Sequence, residues 1–256
     1  MAGAIEPEML STADGERIAY HRTDGRAPGV VFLTGYKSDM TGQKAVTLEA
    51  FCRARGQAFV RFDYLGHGAS SGRFVDGTIG RWAEDAVLVL DRLTEGPQVL
   101  VGSSLGGWIM VLAALRRPDR VAALLGLAAA PDFTEELILP NLSPSERAAL
   151  ETDGVVPVAS VYDPENPTPV TKKIIEDGRK NLVLRHAIPL TCPVRLIHGR
   201  DDLDVPWQAS LRLADRLQST DVELTVVKAG AHRLSEPQDI DRLIATLERL
   251  LRHVEG

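Results

Sequence analysis

Residues 98–106 have the sequence QVLVGSSLG, and this stretch decides the fold that the chain is expected to adopt. Gln98–Val101 predicts a short apolar strand, a G-x-S-x-G motif centred on Ser104 follows it directly, and helical periodicity then continues to Arg116. A motif of this kind between a strand and a helix is typical of a tight turn whose central serine projects its hydroxyl group outward. The spacing of the two glycines selects Ser104 rather than Ser103 as a candidate nucleophile.

On both sides of this stretch, short runs rich in β-branched residues alternate with longer runs of helical periodicity. That alternation is typical of a mainly parallel sheet flanked by helices. The expected strands are 17–20, 30–33, 58–62, 98–101, 121–127, 194–198 and 222–227, and the expected helices are 41–55, 78–93, 104–116, 207–217 and 240–253. We therefore expect an α/β fold in which the whole chain, 1–256, forms a single domain.

The alternation stops between about 131 and 186, where proline is frequent. One helix is expected to begin after Ser143, because Ser143 and Glu146 have the spacing of a capping box. A second helix is expected to begin at Thr168-Pro169 and to run toward residue 186. An insertion of this length between two strands predicts a small helical lid.

The same segment carries apolar residues that a complete sheet domain does not need for its core. Phe133 and Leu137 are the first of them. Apolar side chains outside the core usually line a pocket or an interface, so these two residues are candidates for a substrate pocket. The alternative is that they only pack the lid against the domain.

A serine hydroxyl becomes a nucleophile only beside a base, and His232 is the best placed histidine. It follows the last apolar strand, on a loop at the expected carboxyl edge of the sheet. The other five histidines lie near the chain ends, in a Gly-rich turn, at the end of a strand or at the end of the lid. We therefore expect His232 to be the general base.

The base in turn needs a carboxylate that fixes its tautomer. Residues 198–206, HGRDDLDVP, offer Asp201, Asp202 and Asp204 between the serine and the histidine in chain order. Asp132, which follows an earlier strand, is a further candidate. The spacing of the residues leaves these alternatives open.

A resemblance to a known family narrows the choice. Residues 198–206 resemble the H-G-x-x-D-x-x-V-P signature of the α/β-hydrolase family, which implies that Asp202 is the acid, with Asp204 in reserve. Residues 61–70 resemble the D-x-x-G-x-G-x-S loop of that family, which implies a structural role for Asp63.

The resemblance also implies an oxyanion hole with two backbone N–H donors. One donor is expected from Leu105, which follows the nucleophile, and the other from Tyr36, in the loop after strand 30–33. Most family members have His-Gly in this loop, whereas this chain has Thr34-Gly35. Since only the N–H of Tyr36 is required, the expected mechanism is unchanged.

Within the family, the chain resembles the mitochondrial branch that contains a palmitoyl-protein thioesterase, also known as mycophenolic acid acyl-glucuronide esterase. The resemblance covers roughly residues 29–245, and the segment 131–186 matches least. The more specific stretches are Trp108, Val205-Pro206-Trp207 and His232-Arg233. The resemblance implies a serine hydrolase that cleaves acyl thioesters or carboxylic esters through an acyl-enzyme, without a metal or an organic cofactor. The alternatives are a general carboxylesterase or monoacylglycerol-type lipase, and a non-catalytic fold that binds a ligand.

Composition limits the class of partner and the compartment. Hydrophobic residues make up 44% of the chain, charged residues 25%, and the net charge is −6, which disfavours nucleic acid as a partner. The expected substrate is a small molecule or an acylated protein, and no apolar run reaches membrane-spanning length. Cys52 and Cys192 are too few for a disulfide framework, and the first twenty residues resemble neither a signal nor a transit peptide. We therefore expect a cytoplasmic protein.

Overall fold

The computed structural model describes residues 6–160 and 163–256. Within these residues the strands are β1 (Glu8–Ser11), β2 (Arg17–Thr23), β3 (Arg26–Leu33), β4 (Gln57–Phe62), β5 (Gln98–Ser103), β6 (Val121–Leu127), β7 (Val155–Ser160), β8 (Asp163–Thr171), β9 (Val194–Gly199) and β10 (Val222–Val227). The helices are α1 (Gln43–Arg55), α2 (Ile79–Leu93), α3 (Leu105–Arg116), α4 (Leu139–Asn141), α5 (Pro144–Asp153), α6 (Lys172–Lys180), α7 (Gln208–Arg216) and α8 (Pro237–Glu255).

Eight of the described strands form the central sheet, in the spatial order β1-β2-β4-β3-β5-β6-β9-β10. The pairs β1–β2 and β2–β4 are antiparallel, and all the remaining neighbours are parallel. The prediction of a mainly parallel sheet flanked by helices is confirmed. The carboxyl ends of β3, β5, β9 and β10 lie at the same edge, which brings the loops that follow them together.

The inner strands are buried on both faces because nearly every residue in them is apolar. In β3, Val31 and Leu33 pack into one core while Val30 and Phe32 pack into the other, as the two-residue period of a strand requires. Helices α2 and α3 contribute to the first core, and α1 and α8 contribute to the second. The apolar face of α2, which includes Trp82, is buried in the first core.

The segment between β6 and β9 contains a β-hairpin as well as helices. The predicted capping box is present, since Ser143 accepts the N–H of Glu146 and Glu146 accepts the N–H of Ser143 at the start of α5. The second helix, however, begins at Lys172, with Thr171 as its N-cap. The expected start at Thr168-Pro169 is wrong, because that dipeptide lies in β8 and pairs antiparallel with β7. The predicted helical content of this segment was therefore too high.

Candidate active site

Ser104 lies at the sharp turn between β5 and α3 and has a positive φ of 53° with a ψ of −116°. A residue with a side chain adopts such a conformation only when its surroundings impose it. The two flanking glycines allow the turn: a Cβ atom on Gly102 would overlap the carbonyl group of Gly106, and one on Gly106 would overlap that of Leu33. The backbone can therefore pass close to itself and to β3 while the Ser104 hydroxyl projects from the edge of the sheet.

Ser104, His232 and Asp202 form a continuous hydrogen-bonded chain. Nε2 of His232 lies 3.1 Å from Oγ of Ser104, and Nδ1 of His232 lies 2.7 Å from Oδ2 of Asp202. The three residues come from the loops after β10, β5 and β9. A carboxylate only accepts hydrogen bonds, so Nδ1 carries the hydrogen and Nε2 faces the serine hydroxyl as an acceptor of its proton.

The carboxylate of Asp202 is buried and accepts four hydrogen bonds. Oδ1 accepts the N–H groups of Asp204 (2.9 Å) and Val205 (2.8 Å), while Oδ2 faces His232 and Nε2 of His198 at 3.2 Å. Burial raises the pKa of Asp202, but the hydrogen bonds from His198 and His232 and from the Val205 N–H group outweigh it and lower the pKa to about 2. Asp202 is therefore a carboxylate at neutral pH.

The other candidate acids have different partners. Asp132 accepts the N–H groups of Val183 (2.8 Å) and Leu184 (2.9 Å), so its carboxylate joins the two ends of the segment between β6 and β9. Asp63 accepts two backbone N–H groups of neighbouring loops at 2.6 and 2.8 Å. Asp204 donates its own N–H group to Asp202. Nδ1 of His232 lies 2.7 Å from Oδ2 of Asp202, so Asp202 is the carboxylate that the structure places against the candidate base.

The backbone segments that carry the two expected oxyanion donors both lie close to Ser104. Leu105 begins α3, and the first N–H groups of a helix have no acceptor within that helix. The loop after β3 passes close to the serine, because a Cβ atom placed on Gly35 would lie 3.5 Å from Cβ of Ser104. Tyr36 follows Gly35 directly, and Leu105 follows Ser104, so both backbones pass near the nucleophile.

A cavity of about 390 Å³ opens beside Ser104 and His232. The structure places both predicted pocket residues in its lining: Phe133, which is 8% exposed, and the half-buried Leu137. Phe133 packs edge-to-face on Trp108, with the ring centroids 5.7 Å apart. Most of the lining is apolar, and it includes Leu142, Val158 and Val170 from the segment between β6 and β9. Such a surface suits an acyl chain better than a charged group.

Two features of this site were missed by the sequence analysis. His198 is fully buried and contacts Asp202, although its position at the end of a strand had made it a weak candidate. The hydroxyl group of Tyr36 donates to the carbonyl oxygen of Pro169 at 3.1 Å, which ties the loop after β3 to the β7–β8 hairpin. The histidine could have been noticed, since it is the only polar residue of the run VRLIH apart from Arg195.

The described part of the chain contains no cluster of three or more His, Cys, Asp or Glu side chains with the geometry of a metal site. Within the same residues, no helix combines the length and the apolar character that crossing a bilayer requires.

Comparison with known proteins identifies the family. Residues 45–157 match the family model described as the alpha/beta hydrolase fold. The chain is 43% identical to palmitoyl-protein thioesterase ABHD10 of Mus musculus over 245 residues, which are 95% of this chain and 82% of that protein. The chain belongs to the α/β-hydrolase family. It is therefore a hydrolase enzyme, and the predicted resemblance to the palmitoyl-protein thioesterase branch is confirmed.

Solved structures agree with the assignment of this chain to the α/β-hydrolase family. The structure of alpha/beta hydrolase domain-containing protein 10 from mouse superposes with a TM-score of 0.91 at 41% identity and covers 98% of this chain and 100% of that one. A putative hydrolase from Agrobacterium vitis gives a TM-score of 0.91 at 40% identity, over 97% of this chain and 99% of that one. The α/β-hydrolase fold expected from the sequence is thus confirmed.

The same comparison corrects the expected location. The mouse relative is named as a mitochondrial protein, which contradicts the cytoplasmic location expected from the sequence. That expectation was wrong. It rested on two reduced cysteines and on the first twenty residues, which resemble no targeting peptide, and free thiols do not distinguish one reducing compartment from another.

Proposed function

We propose that this hydrolase cleaves acyl thioesters and carboxylic esters, with Ser104 as nucleophile, His232 as general base and Asp202 as the acid that orients the base. The observation that carries the proposal is the hydrogen-bonded chain of these three side chains, with contacts of 3.1 and 2.7 Å, beside an apolar cavity. The lead substrate class is an S-acyl thioester with a long acyl chain, because the similar mouse protein is named as a palmitoyl-protein thioesterase.

In the proposed mechanism, Oγ of Ser104 attacks the carbonyl carbon of the substrate while its proton moves to Nε2 of His232. The negative charge that develops on the carbonyl oxygen is stabilised by the N–H groups of Leu105 and Tyr36. The bond to the leaving group then breaks, and the thiolate or alkoxide takes the proton from His232. Water repeats the sequence on the acyl-enzyme, which releases the carboxylic acid and restores the serine hydroxyl.

Asp202 keeps the base productive throughout this cycle. Its charge stabilises the imidazolium that forms when His232 takes the proton, and its Oδ2 holds Nδ1 as the protonated nitrogen. The low pKa of Asp202, about 2, keeps the carboxylate from taking that proton itself. His232 therefore exchanges one proton with Ser104 and the leaving group, while Asp202 remains charged.

The lid segment 131–186 is proposed to provide the acyl pocket within a single domain formed by the whole chain. Phe133 and Leu137 line the cavity that contains Ser104 and His232, which supports this role. Acyl-glucuronide-type esters are included in the proposal as carboxylic esters. A second candidate is a general carboxylesterase or monoacylglycerol-type lipase, favoured by the same apolar cavity, which would also accept the acyl chain of such an ester.

Labelling with a fluorophosphonate probe tests the nucleophile. The wild-type enzyme and the Ser103→Ala control should be labelled, and Ser104→Ala should not, because Ser103 lies next to the nucleophile outside the hydrogen-bonded chain. Thermal unfolding checks that both variants are folded. Labelling of folded Ser104→Ala, or its near-normal ester hydrolysis, would refute the assignment.

A matched panel of substrates tests the substrate class. Acetyl to palmitoyl p-nitrophenyl esters, the corresponding acyl thioesters, a monoacylglycerol and an acyl glucuronide should be compared by kcat/KM. We expect long-chain thioesters to exceed both the acetyl substrates and the glucuronide. A preference for acetyl esters, or for the monoacylglycerol over every thioester, would move the function to the second candidate.

A further inference from the structure

We propose that His198 is a positioning residue, which holds the carboxylate of Asp202 toward His232 and shares its charge, and that Ser210 fixes the tautomer of His198. The inference rests on the proposed function, since it concerns the acid of the proposed triad. It adds a second, buried histidine to that acid, in contact with the same carboxylate oxygen as the general base.

The contacts of His198 determine which of its nitrogens carries hydrogen. Nε2 lies 3.2 Å from Oδ2 of Asp202 and 3.0 Å from the carbonyl oxygen of Val205. Both oxygens only accept hydrogen bonds, so Nε2 must be a donor. Nδ1 lies 2.7 Å from Oγ of Ser210, which can donate its hydroxyl hydrogen to that nitrogen.

The neutral Nε2–H tautomer therefore satisfies both ring nitrogens. His198 and Ser210 are each 0% exposed, so water does not compete for these bonds. Ser210 lies on α7 and His198 on β9, which means that packing of the helix on the sheet holds the ring in one orientation. A buried polar network that is fully satisfied is rigid, because breaking any bond in it leaves an unpaired group.

Asp202 is consequently held at both oxygens. Backbone N–H groups of Asp204 and Val205 hold Oδ1, and His198 and His232 share Oδ2. Without His198, Oδ2 would lose the donor that keeps it on the side of His232, and its whole charge would act on the base. The bond of His198 thus both orients the acid and moderates its attraction for a protonated His232.

The consequence is a defined shift in the pH dependence of the enzyme. The titratable groups that face the Asp202 carboxylate are His198 from β9 and His232 from the loop after β10, while Asp204 lies on its own loop. The acidic limb of kcat/KM reports protonation of the essential base in the enzyme without substrate, and His232 is the proposed base. Removing the His198 donor should stabilise the protonated base and move this limb to higher pH.

The first test compares three variants by their pH profiles. His198→Leu removes the donor, His198→Gln keeps an N–H group at about the position of Nε2, and His253→Gln is a control at an exposed histidine on α8. In His198→Leu we expect the limb to rise by on the order of half a pH unit, about threefold in proton affinity, and kcat to fall about tenfold. In His198→Gln, the position of the limb and the value of kcat should both be close to those of the wild type, and His253→Gln should match the wild type.

A merely structural role would lower the melting temperature of His198→Leu without moving the limb. An unchanged limb in the folded variant, or a limb that moves equally in the exposed-histidine control, would therefore overturn the proposal. A wild-type enzyme that the fluorophosphonate probe does not label would instead refute the proposed function, so the two failures are distinguishable.

A second test uses the wild-type protein and does not depend on how the variants fold. A long-range ¹H–¹⁵N correlation spectrum distinguishes protonated from unprotonated imidazole nitrogens, and residue-specific assignment of the wild-type protein identifies the signals of His198. We expect Nε2 of His198 to carry hydrogen and Nδ1 to be unprotonated at neutral pH. Any other pattern overturns the proposed arrangement.

Discussion

Replacing Asp202 by asparagine tests the proposed triad most directly. Oδ1 of Asp202 accepts the N–H groups of Asp204 and Val205, and Oδ2 accepts from His232 at 2.7 Å. An asparagine retains one carbonyl oxygen, which we expect to stay on the two backbone donors, so its amide nitrogen then faces His232. A donor at that position requires Nδ1 to be without hydrogen. Nε2 then carries the hydrogen and can no longer accept the proton of Ser104.

The expected loss is large because two effects add. The productive tautomer becomes unfavourable, and a neutral amide does not stabilise the imidazolium that forms in the transition state. In serine proteases the corresponding change lowers kcat by about 10⁴-fold, or about 5.5 kcal/mol in activation free energy, and we expect about 10³- to 10⁴-fold here. Asp204→Asn is the matched control, because Asp204 supports the triad through its backbone N–H group, which asparagine keeps. Its kcat should remain within about fivefold of the wild type.

The assay is steady-state hydrolysis of a p-nitrophenyl ester and of an acyl thioester by both variants, with melting curves to show that each is folded. A greater loss in Asp204→Asn than in Asp202→Asn would assign the acid to Asp204. A folded Asp202→Asn enzyme that keeps kcat within tenfold of the wild type would refute the role of Asp202 altogether.

Three further changes have defined outcomes. Tyr36→Phe should lower the free energy of unfolding by about 1 kcal/mol in urea denaturation, because the hydrogen bond to the Pro169 carbonyl is lost; an unchanged value would show that this bond contributes nothing. Leu137→Asn should raise KM more for long acyl esters than for acetyl esters, since each buried methylene contributes about 0.8 kcal/mol, whereas a uniform loss would indicate misfolding. The pKa of Asp202 is lowered to about 2 in the folded protein, so it contributes roughly 2 kcal/mol of stability above about pH 4 that is lost as the pH falls toward 2. Acid unfolding of Asp202→Asn should lack this loss, and an identical acid transition in both proteins would contradict it.

The sheet and the sharp turn at Ser104 could be predicted because each is encoded by a local sequence pattern that is compatible with one kind of structure. Fully apolar runs such as 121–127 can only be buried, and β6 has these bounds in the structure. The G-x-S-x-G motif requires close approach at both glycines, and both Gly102 and Gly106 have it. The capping box of Ser143 and Glu146 is equally local, and it was predicted correctly.

The β7–β8 hairpin could not be predicted in the same way. Proline usually argues against a strand, and Pro157 pairs directly with Pro169 in this hairpin. The wrongly placed helix start has a related cause. Thr168 is followed by Pro169, and proline is common at the first position of a helix. The true N-cap is Thr171, whose side chain accepts the N–H group of Ile174 at 3.1 Å. Two threonines three residues apart offered the same local signal, and tertiary pairing of β7 with β8 decided between them.

The role of His198 depends on contacts that no local pattern contains. Its partner Ser210 is twelve residues away on α7, and its position is fixed by how that helix packs on the sheet. A histidine four residues before an aspartate could be a core residue whose hydrogen bonds go elsewhere, or it could donate a hydrogen bond to that aspartate. Only the depth of burial and the two distances from Nε2 show that it donates to Asp202.

The hydrogen bonds at the two ends of the proposed lid explain how substrate selectivity and the rate of the chemical step can depend on different residues. The carboxylate of Asp132 binds the N–H groups of Val183 and Leu184, and Nε1 of Trp108 donates to the carbonyl oxygen of Asn181 at 3.0 Å. The segment is thus closed at its base, like a large loop whose ends are joined. Because these bonds fix both ends against the domain, residues between them can change the shape of the cavity without displacing the strand ends that carry Ser104 and its partners. We therefore expect substitutions inside the proposed lid to change the acyl preference, and substitutions at the edge of the sheet to change the rate of the chemical step.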